Sequence, residues 1–402
     1  GLMTALTNSD TIRIGWRTLQ GASLYDAASI ISSALTMILP LFLARRYLAD
    51  AAAQKLILKV LCIAALGYSL LALFEVRMSP QLNVWIYGFF PHDWLMHMRS
   101  GGWRPIVFLQ HGLVLGIFLA MSALAIAGLA RIDASRRKLW ILGTVWLLVT
   151  LFLSKNVGAL FITVALLPVV LLGGVRGQLL VAAIVSGVFL VYPVARTAQI
   201  LPYTQVLNLA ESIDPARVGS FQTRLDNEER LLNKAGKRPL FGWAGFGRSR
   251  VYNEAGGDIT ISDGAWIIVL GKYGWVGYLT RFGLLTLPIF LLLVHRRRYE
   301  LGMETSLLAV VLVANLVDLI PNSAITPLTW LLAGSLWGRL ELKTQTSAPE
   351  EATVTQAEPA GYRRRDPPEA VEGPQPVTSS AASPRNVYTR QTKRIHRRQA
   401  PG

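Results

Sequence analysis

Residues 139–172 read LWILGTVWLLVTLFLSKNVGALFITVALLPVVLL: two apolar runs parted by Ser154-Lys155-Asn156, with Lys155 the only charge in the stretch. A helix needs roughly 17–25 apolar residues to span a hydrocarbon core. Two runs near that length, joined by so short a polar turn, read as a helical hairpin in a membrane. A barrel strand would alternate apolar and polar over about ten residues, and neither run does. Working outward, further apolar runs fall at about 23–43, 56–74, 106–130 and 178–195, then at 275–294, 306–320 and 324–338. The sequence therefore predicts an all-α, polytopic integral membrane protein with about nine transmembrane helices. Composition points the same way: 52% of residues are hydrophobic and 16% charged, against roughly 25% charged in a soluble chain. Mean hydropathy is +0.40. The single cysteine, Cys62, excludes an intrachain disulfide framework.

Lys and Arg in short loops set orientation. Arg45, Arg46, Lys55 and Lys59 follow the first run; Arg131, Arg136, Arg137 and Lys138 follow the third. Arg176 lies in the 173–177 loop, and His295-Arg296-Arg297-Arg298 opens the 295–304 loop. All fall on one side by parity, read as cytoplasmic. The long loops 75–105 and 196–262 then face outward, the second being a large periplasmic loop expected to hold short helices. Residues 1–22 are expected at the outer face. They start Gly1-Leu2-Met3 and carry no secretory signal, so the chain reads as one that has lost an odd number of N-terminal spans. The expected division is 1–22, a membrane domain over 23–340, and a tail over 341–402. The tail is rich in Pro, Ser, Thr, Ala and Glu and ends in a basic cluster, the composition of a disordered cytoplasmic segment. It is either a solvated tail or one that rests on anionic membrane lipids. The net charge of +16 thus sits largely in inside loops and tail, and calls for no nucleic acid.

The outer loops carry the candidate chemistry. In 75–105, Arg99 and Arg104 flank Gly101-Gly102. Guanidinium forks match phosphate oxygens, so the pair either grips a diphosphate or snorkels to headgroups. His92, His97 and His111 fit no standard metal-ligand spacing, and neither metal nor cofactor is expected. In 196–262, residues 220–235 form an expected amphipathic helix on Phe221, Leu225, Leu232 and Ala235, stopped by Gly236. Arg224 stands four residues before Glu228, where an ion pair along the helix is its plain explanation. The turn Pro239-Leu240-Phe241-Gly242-Trp243-Ala244-Gly245-Phe246-Gly247-Arg248 lacks a P-loop ending, though its amides with Arg248 suit an anion. Asp263 precedes the run that re-enters the membrane. It is read either as a cap for that helix or as a general base at the interface. Lys155, near the membrane between two spans, either binds the diphosphate or simply reaches the outer interface.

Taken together, these segments resemble the bacterial O-antigen polymerase and O-antigen ligase family of integral-membrane enzymes. Ser154-Lys155-Asn156-Val157-Gly158-Ala159 is similar to the family's Ser-(Arg/Lys) segment. Arg224 falls at its loop arginine, Pro239-Leu240-Phe241-Gly242-Trp243 is similar to its turn, and Gly274-Trp275-Val276-Gly277 to its final motif. The family's histidine is replaced by Ser262-Asp263-Gly264. The stretch Glu75–His111 is also similar to a branch tied to exopolysaccharide polymerisation. The resemblance implies metal-independent glycosyl transfer at the periplasmic face of the bacterial inner membrane, polymerising oligosaccharide repeat units carried on polyprenyl diphosphate. Arg224 and Asp263 would be the catalytic residues, and Arg99, Arg104, Lys155 and Arg248 would bind the diphosphate. Partners would include a chain-length regulator and other polysaccharide assembly proteins. Ligase-type transfer to another acceptor, a flippase for lipid-linked sugar and a scaffold subunit are the alternatives.

Overall fold

The computed structural model describes residues 1–91, 93–99, 101–200 and 215–346. Its helices are α1 (Leu2–Leu6), α2 (Leu24–Tyr47), α3 (Ala51–Met78), α4 (Leu82–Tyr87), α5 (Gly112–Ile132), α6 (Arg137–Leu153) and α7 (Val157–Leu172). Then follow α8 (Val175–Thr197), α9 (Pro215–Gly236), α10 (Ala265–Val294), α11 (Arg296–Tyr299), α12 (Met303–Asp318) and α13 (Pro327–Thr346). Two small antiparallel hairpins interrupt them. In one, β1 (Ile12–Ile14) pairs with β2 (Arg17–Leu19), with Ile12 opposite Leu19. In the other, β3 (Met98–Arg99) pairs with β4 (Gly102–Trp103), with Met98 opposite Trp103.

Each apolar run read from the sequence falls largely within a helix. Among the described residues five helices, α2, α3, α5, α8 and α10, are long and apolar enough to cross a membrane. The chain is thus a mostly helical protein with the build of a polytopic membrane protein. Helix starts follow local chemistry. Ser23 and Asp26 form a capping box at α2, the Asp26 carboxylate accepting from Ser23 N–H at 2.7 Å. Asp50 accepts from Ala53 N–H at the head of α3. His111 Nδ1 accepts from Leu113 N–H at the head of α5, so that helix starts later than its apolar run. The tail expected from 341 is helical through Thr346; the rest of it lies outside the described residues.

The bundle is built around α5 and α12. Both are buried on all sides over most of their length, from Leu115 to Ala130 save Phe118, and from Thr305 to Leu316. Such all-round apolar burial belongs to the centre of a membrane bundle. The outer helices expose large apolar side chains, among them Leu35 and Leu39 on α2, Ile63 and Leu70 on α3, and Phe161 on α7, as a lipid-facing surface requires. Helix α13 runs along α2, where a Cβ at Gly334 or Gly338 would strike the α2 backbone at Leu41 or Arg45. Small residues at this spacing let two backbones meet closely. Arg45 also pairs with Glu341 across the same interface.

Candidate functional site

The long loop 196–262 is organised around a break in α10. Gly274 has φ 64° and ψ −167°, which interrupts the helical hydrogen bonds inside an apolar segment. A backbone freed there is tolerated only when protein satisfies it. The turn at 239–244 does so. Trp275 and Val276 N–H donate to Pro239 and Leu240 carbonyls at 2.7 and 3.2 Å. Trp243 and Ala244 N–H donate to Gly271 and Lys272 carbonyls at 2.8 and 2.9 Å. Gly242, with φ 68°, is so close to α10 that a Cβ would lie 2.5 Å from the Lys272 carbonyl carbon. Only glycine holds such a φ without strain. The Pro-Leu-Phe-Gly turn and the Gly-x-x-Gly motif, separate in sequence, are therefore the two halves of one joint.

This joint fixes the mouth of α10. Ala265 N–H donates to the carbonyls of Leu319 and Asn322 at 3.0 and 2.9 Å. The helix is thus closed by the turn after α12, and Gly264 at the N-cap supplies no side chain. Asp263 does not cap α10. Its carboxylate meets Arg224 of α9, Nε to Oδ2 at 3.3 Å, with 40% and 39% of the two side chains exposed. Nor does Arg224 pair with Glu228. The Glu228 carboxylate, 13% exposed, faces Arg196 of α8 at 3.6 Å and accepts from the Tyr192 hydroxyl at 3.3 Å. Burial pushes the Glu228 carboxyl above the usual glutamate range, against the opposing pull of Arg196 and Tyr192.

A third carboxylate completes the group. Asp318, at the end of α12, is buried. Its Oδ1 accepts from Asn322 Nδ2 at 2.8 Å, whereas its Oδ2 has no hydrogen-bond partner among the described residues. Arg224 lies within electrostatic reach of it. Arg224 thus pairs with an open carboxylate, and a buried one feels its charge, at the point where α9 docks on α10. Asp318 and Arg196 were not singled out in the sequence, and Glu228 was read only as a helix partner for Arg224. The available signal for Asp318 was an ionisable residue within the apolar run 306–320, which is costly and tends to mark function.

The other expected anion ligands are placed differently. Arg248 is buried at 1% exposure. Its guanidinium donates to the carbonyls of Asp10, Gln20 and Trp243 and to the Asp10 carboxylate at 3.0 Å. It is a strut for the N-terminal segment, not an exposed anion ligand. Arg238 adds two bonds to the same carboxylate, and Trp16 N–H donates to Ala255 O, so residues 1–22 and 238–257 form one piece. Burial raises the Asp10 carboxyl, but the hydrogen bond and charge of Arg238, with Arg248 beside it, hold it below the usual aspartate range.

In the loop 75–105 the anchor is Glu75. It is buried and accepts from the N–H groups of Ile106, Val107 and Leu82 at 2.8, 2.7 and 3.1 Å. Lys155, at φ 57°, reaches this loop: a Cβ at Gly102 would lie 2.5 Å from its Nζ. Arg104 packs its side chain over Gly112, and its N–H donates to His97 O at 2.7 Å. Lys155 and the Gly101-Gly102 pair are therefore brought together, with Arg104 two residues on. The side chain of Arg99 and all of His92 lie outside the described residues. The His97 ring stands edge-on to His111, centroids 5.1 Å apart. Among the described residues no three His, Cys, Asp or Glu side chains are grouped to hold a metal ion.

No protein-family model matches the chain, and no curated protein matches its sequence. It is assigned to no family, and the resemblance to the O-antigen enzymes rests on the quoted motifs alone.

Proposed function

We propose that the chain is a nine-span glycosyltransferase of the bacterial inner membrane. It would polymerise oligosaccharide repeat units, carried on polyprenyl diphosphate, at the periplasmic face. The observation that carries this reading is the Arg224–Asp263 pair at the mouth of α10, where Arg224 also acts by its charge on the buried Asp318. In the reaction an acceptor hydroxyl attacks the anomeric carbon of the donor. The bond from that carbon to the diphosphate oxygen breaks, and the diphosphate leaves with the electron pair. Arg224 stabilises the charge that develops on it. The Arg224–Asp263 pair is half-exposed, and such pairs contribute only about 0–1 kcal/mol, so a diphosphate with bidentate geometry displaces Asp263 readily. The freed carboxylate then orients the acceptor hydroxyl and takes its proton. Lys155 and Arg104 offer further positive charge where the 154–156 turn meets the loop 75–105.

The test uses the purified chain in vesicles with lipid-linked repeat units. Longer glycans on the lipid support polymerisation. Transfer of finished glycan to a different acceptor would make it a ligase, and movement of the donor across the bilayer without a new glycosidic bond would make it a carrier. Either of those results overturns the reading.

A further inference from the structure

Beside Asp263 lies a cavity of about 200 Å³. Arg250, Lys272, Ser249 and Ser262 line its polar side, and Ile267 and Ile268 of α10 line the other. Three features set it apart from a solvated surface dent. Lys272 is half-buried, and its backbone carbonyl is fixed by the Ala244 N–H at 2.9 Å. The charged neighbours acting on it are Arg250 and Arg281, both cations. Arg250 has one counter-ion, Asp258, at 2.5 Å. Arg281 turns its guanidinium to the Met37 thioether at 2.6 Å, not to a carboxylate. Two cations, Lys272 and Arg250, thus line one cavity, with the charge of Arg281 also acting on Lys272 and Asp258 paired to Arg250. Charges in a partly desolvated site are costly unless an opposite charge completes them.

The rim of the same cavity is apolar and open. Phe246 lines it with 74% of its surface exposed, and Ile261 beside Ser262 is 61% exposed. Phe246 is presented at φ 54°, a conformation bulky residues rarely adopt. The turn is pinned there by the Tyr252 hydroxyl, which donates to Gly247 O at 2.9 Å. A cationic pocket with hydroxyl donors and an exposed hydrocarbon lip has the chemistry of an amphiphile site.

We propose that this cavity seats the phosphate headgroup of a membrane lipid, with Lys272, Arg250 and the Ser249 and Ser262 hydroxyls on the phosphate and the hydrocarbon chain leaving over Phe246. The seat stands on its own residues and does not require the transfer reaction. If both hold, it places a lipid-borne phosphate one residue from Asp263.

The test measures binding to the purified full chain in detergent, with three probes: a short polyprenyl diphosphate, phosphatidylglycerol and inorganic diphosphate. Resting on the transfer reading for this ranking alone, we expect the polyprenyl diphosphate to bind most tightly. Lys272→Met and Arg250→Gln should each weaken it about tenfold or more, since each loses charge-assisted bonds. Lys272→Arg should restore binding, which separates loss of charge from misfolding. Phe246→Ser should weaken both lipids and leave inorganic diphosphate unchanged. Tightest binding by phosphatidylglycerol, with the same dependence on Lys272 and Phe246, keeps a lipid-phosphate seat and identifies its occupant as a phospholipid. Unchanged lipid binding in the Lys272→Met, Arg250→Gln double variant overturns the seat, as does inorganic diphosphate binding as tightly as either lipid. Lipid binding that depends on Lys272, in a protein that never elongates glycan, overturns the transfer reading alone.

Discussion

Arg224 and Arg248 stand in the same long loop, 196–262, and look alike in sequence, yet they do opposite work. Arg248 is buried, and its five N–H groups engage three carbonyls, the Asn8 amide oxygen and the Asp10 carboxylate. Arg224 is 40% exposed and meets one carboxylate that is itself 39% exposed. The first has no capacity left for a ligand. The second sits in a contact that a better anion can open. Two buried carboxylates divide the same way: Glu75 is held by three N–H donors, whereas Asp318 keeps a buried oxygen without a hydrogen-bond partner among the described residues. A buried charge whose bonds are complete holds structure, and a charge left incomplete or loosely paired is available for chemistry.

The sharpest way to break this contrast is Asp263→Asn. Losing general-base help costs about 10²–10⁴-fold in rate. Because Asp263 does not cap α10, the variant should insert and melt like the parent while elongating poorly, measured by chain length on the lipid carrier. Normal elongation would remove Asp263 from the chemistry and leave the arginine alone.

Arg248→Ala is the converse experiment. It strips a buried cation from the carbonyls and carboxylate it serves, a loss of about 3 kcal/mol or more. We expect a lowered Tm in detergent and faster proteolysis within 238–257, with little change in diphosphate affinity in the protein that remains folded. A variant that melts normally but loses affinity would place Arg248 at the ligand after all.

Arg224→Lys should have a smaller effect, because the charge stays and only the fork is lost. Elongation is expected to fall by about tenfold or more, at one bidentate contact's worth of stabilisation, with Tm unchanged. Equal activity of Arg224→Lys and Arg224→Ala with the parent would remove it from the site.

The helical bundle was legible because apolar runs of membrane length declare themselves locally. The break inside α10 was not. A span was read over 275–294 and Asp263 was placed just before the re-entering run, but the interruption at Gly274 within one helix from Ala265 to Val294 was not foreseen. What bridges the interruption is the turn at 239–244, a contact between distant stretches that no local pattern carries. The site divided along the same line. Arg224 and Asp263 were visible one by one as charges in an outer loop, but their pairing depends on how α9 docks on α10. Two local explanations, a cap for Asp263 and a helix pair for Arg224, are displaced by tertiary partners: the carbonyls after α12 take the cap, and Arg196 takes Glu228. Arg248 misled because loop composition does not reveal burial.

The smallest expected effect tests the Arg196–Glu228 pair, which stands behind Arg224 on α9. The Glu228 carboxyl is raised by burial above its ordinary value of 4.5. The folded protein therefore keeps this proton to a higher pH than the unfolded chain does. The corresponding stability is fully present below pH 4.5 and is lost as pH rises through the higher folded-state value. For a single proton the slope cannot exceed about 1.4 kcal/mol per pH unit. Asp10 acts in the opposite sense: its lowered carboxyl gives stability above the ordinary aspartate range that is lost on acidification. Glu228→Gln keeps the shape and the Tyr192 contact but no longer titrates, and Arg196 retains its bond to Leu225 O at 3.0 Å. A Tm-against-pH profile of this variant should lose the decline above pH 4.5 and keep the acid-side fall. An unchanged profile would show that Glu228 is charged in both states, so that the pair with Arg196 outweighs burial and belongs with Glu75 among the completed charges.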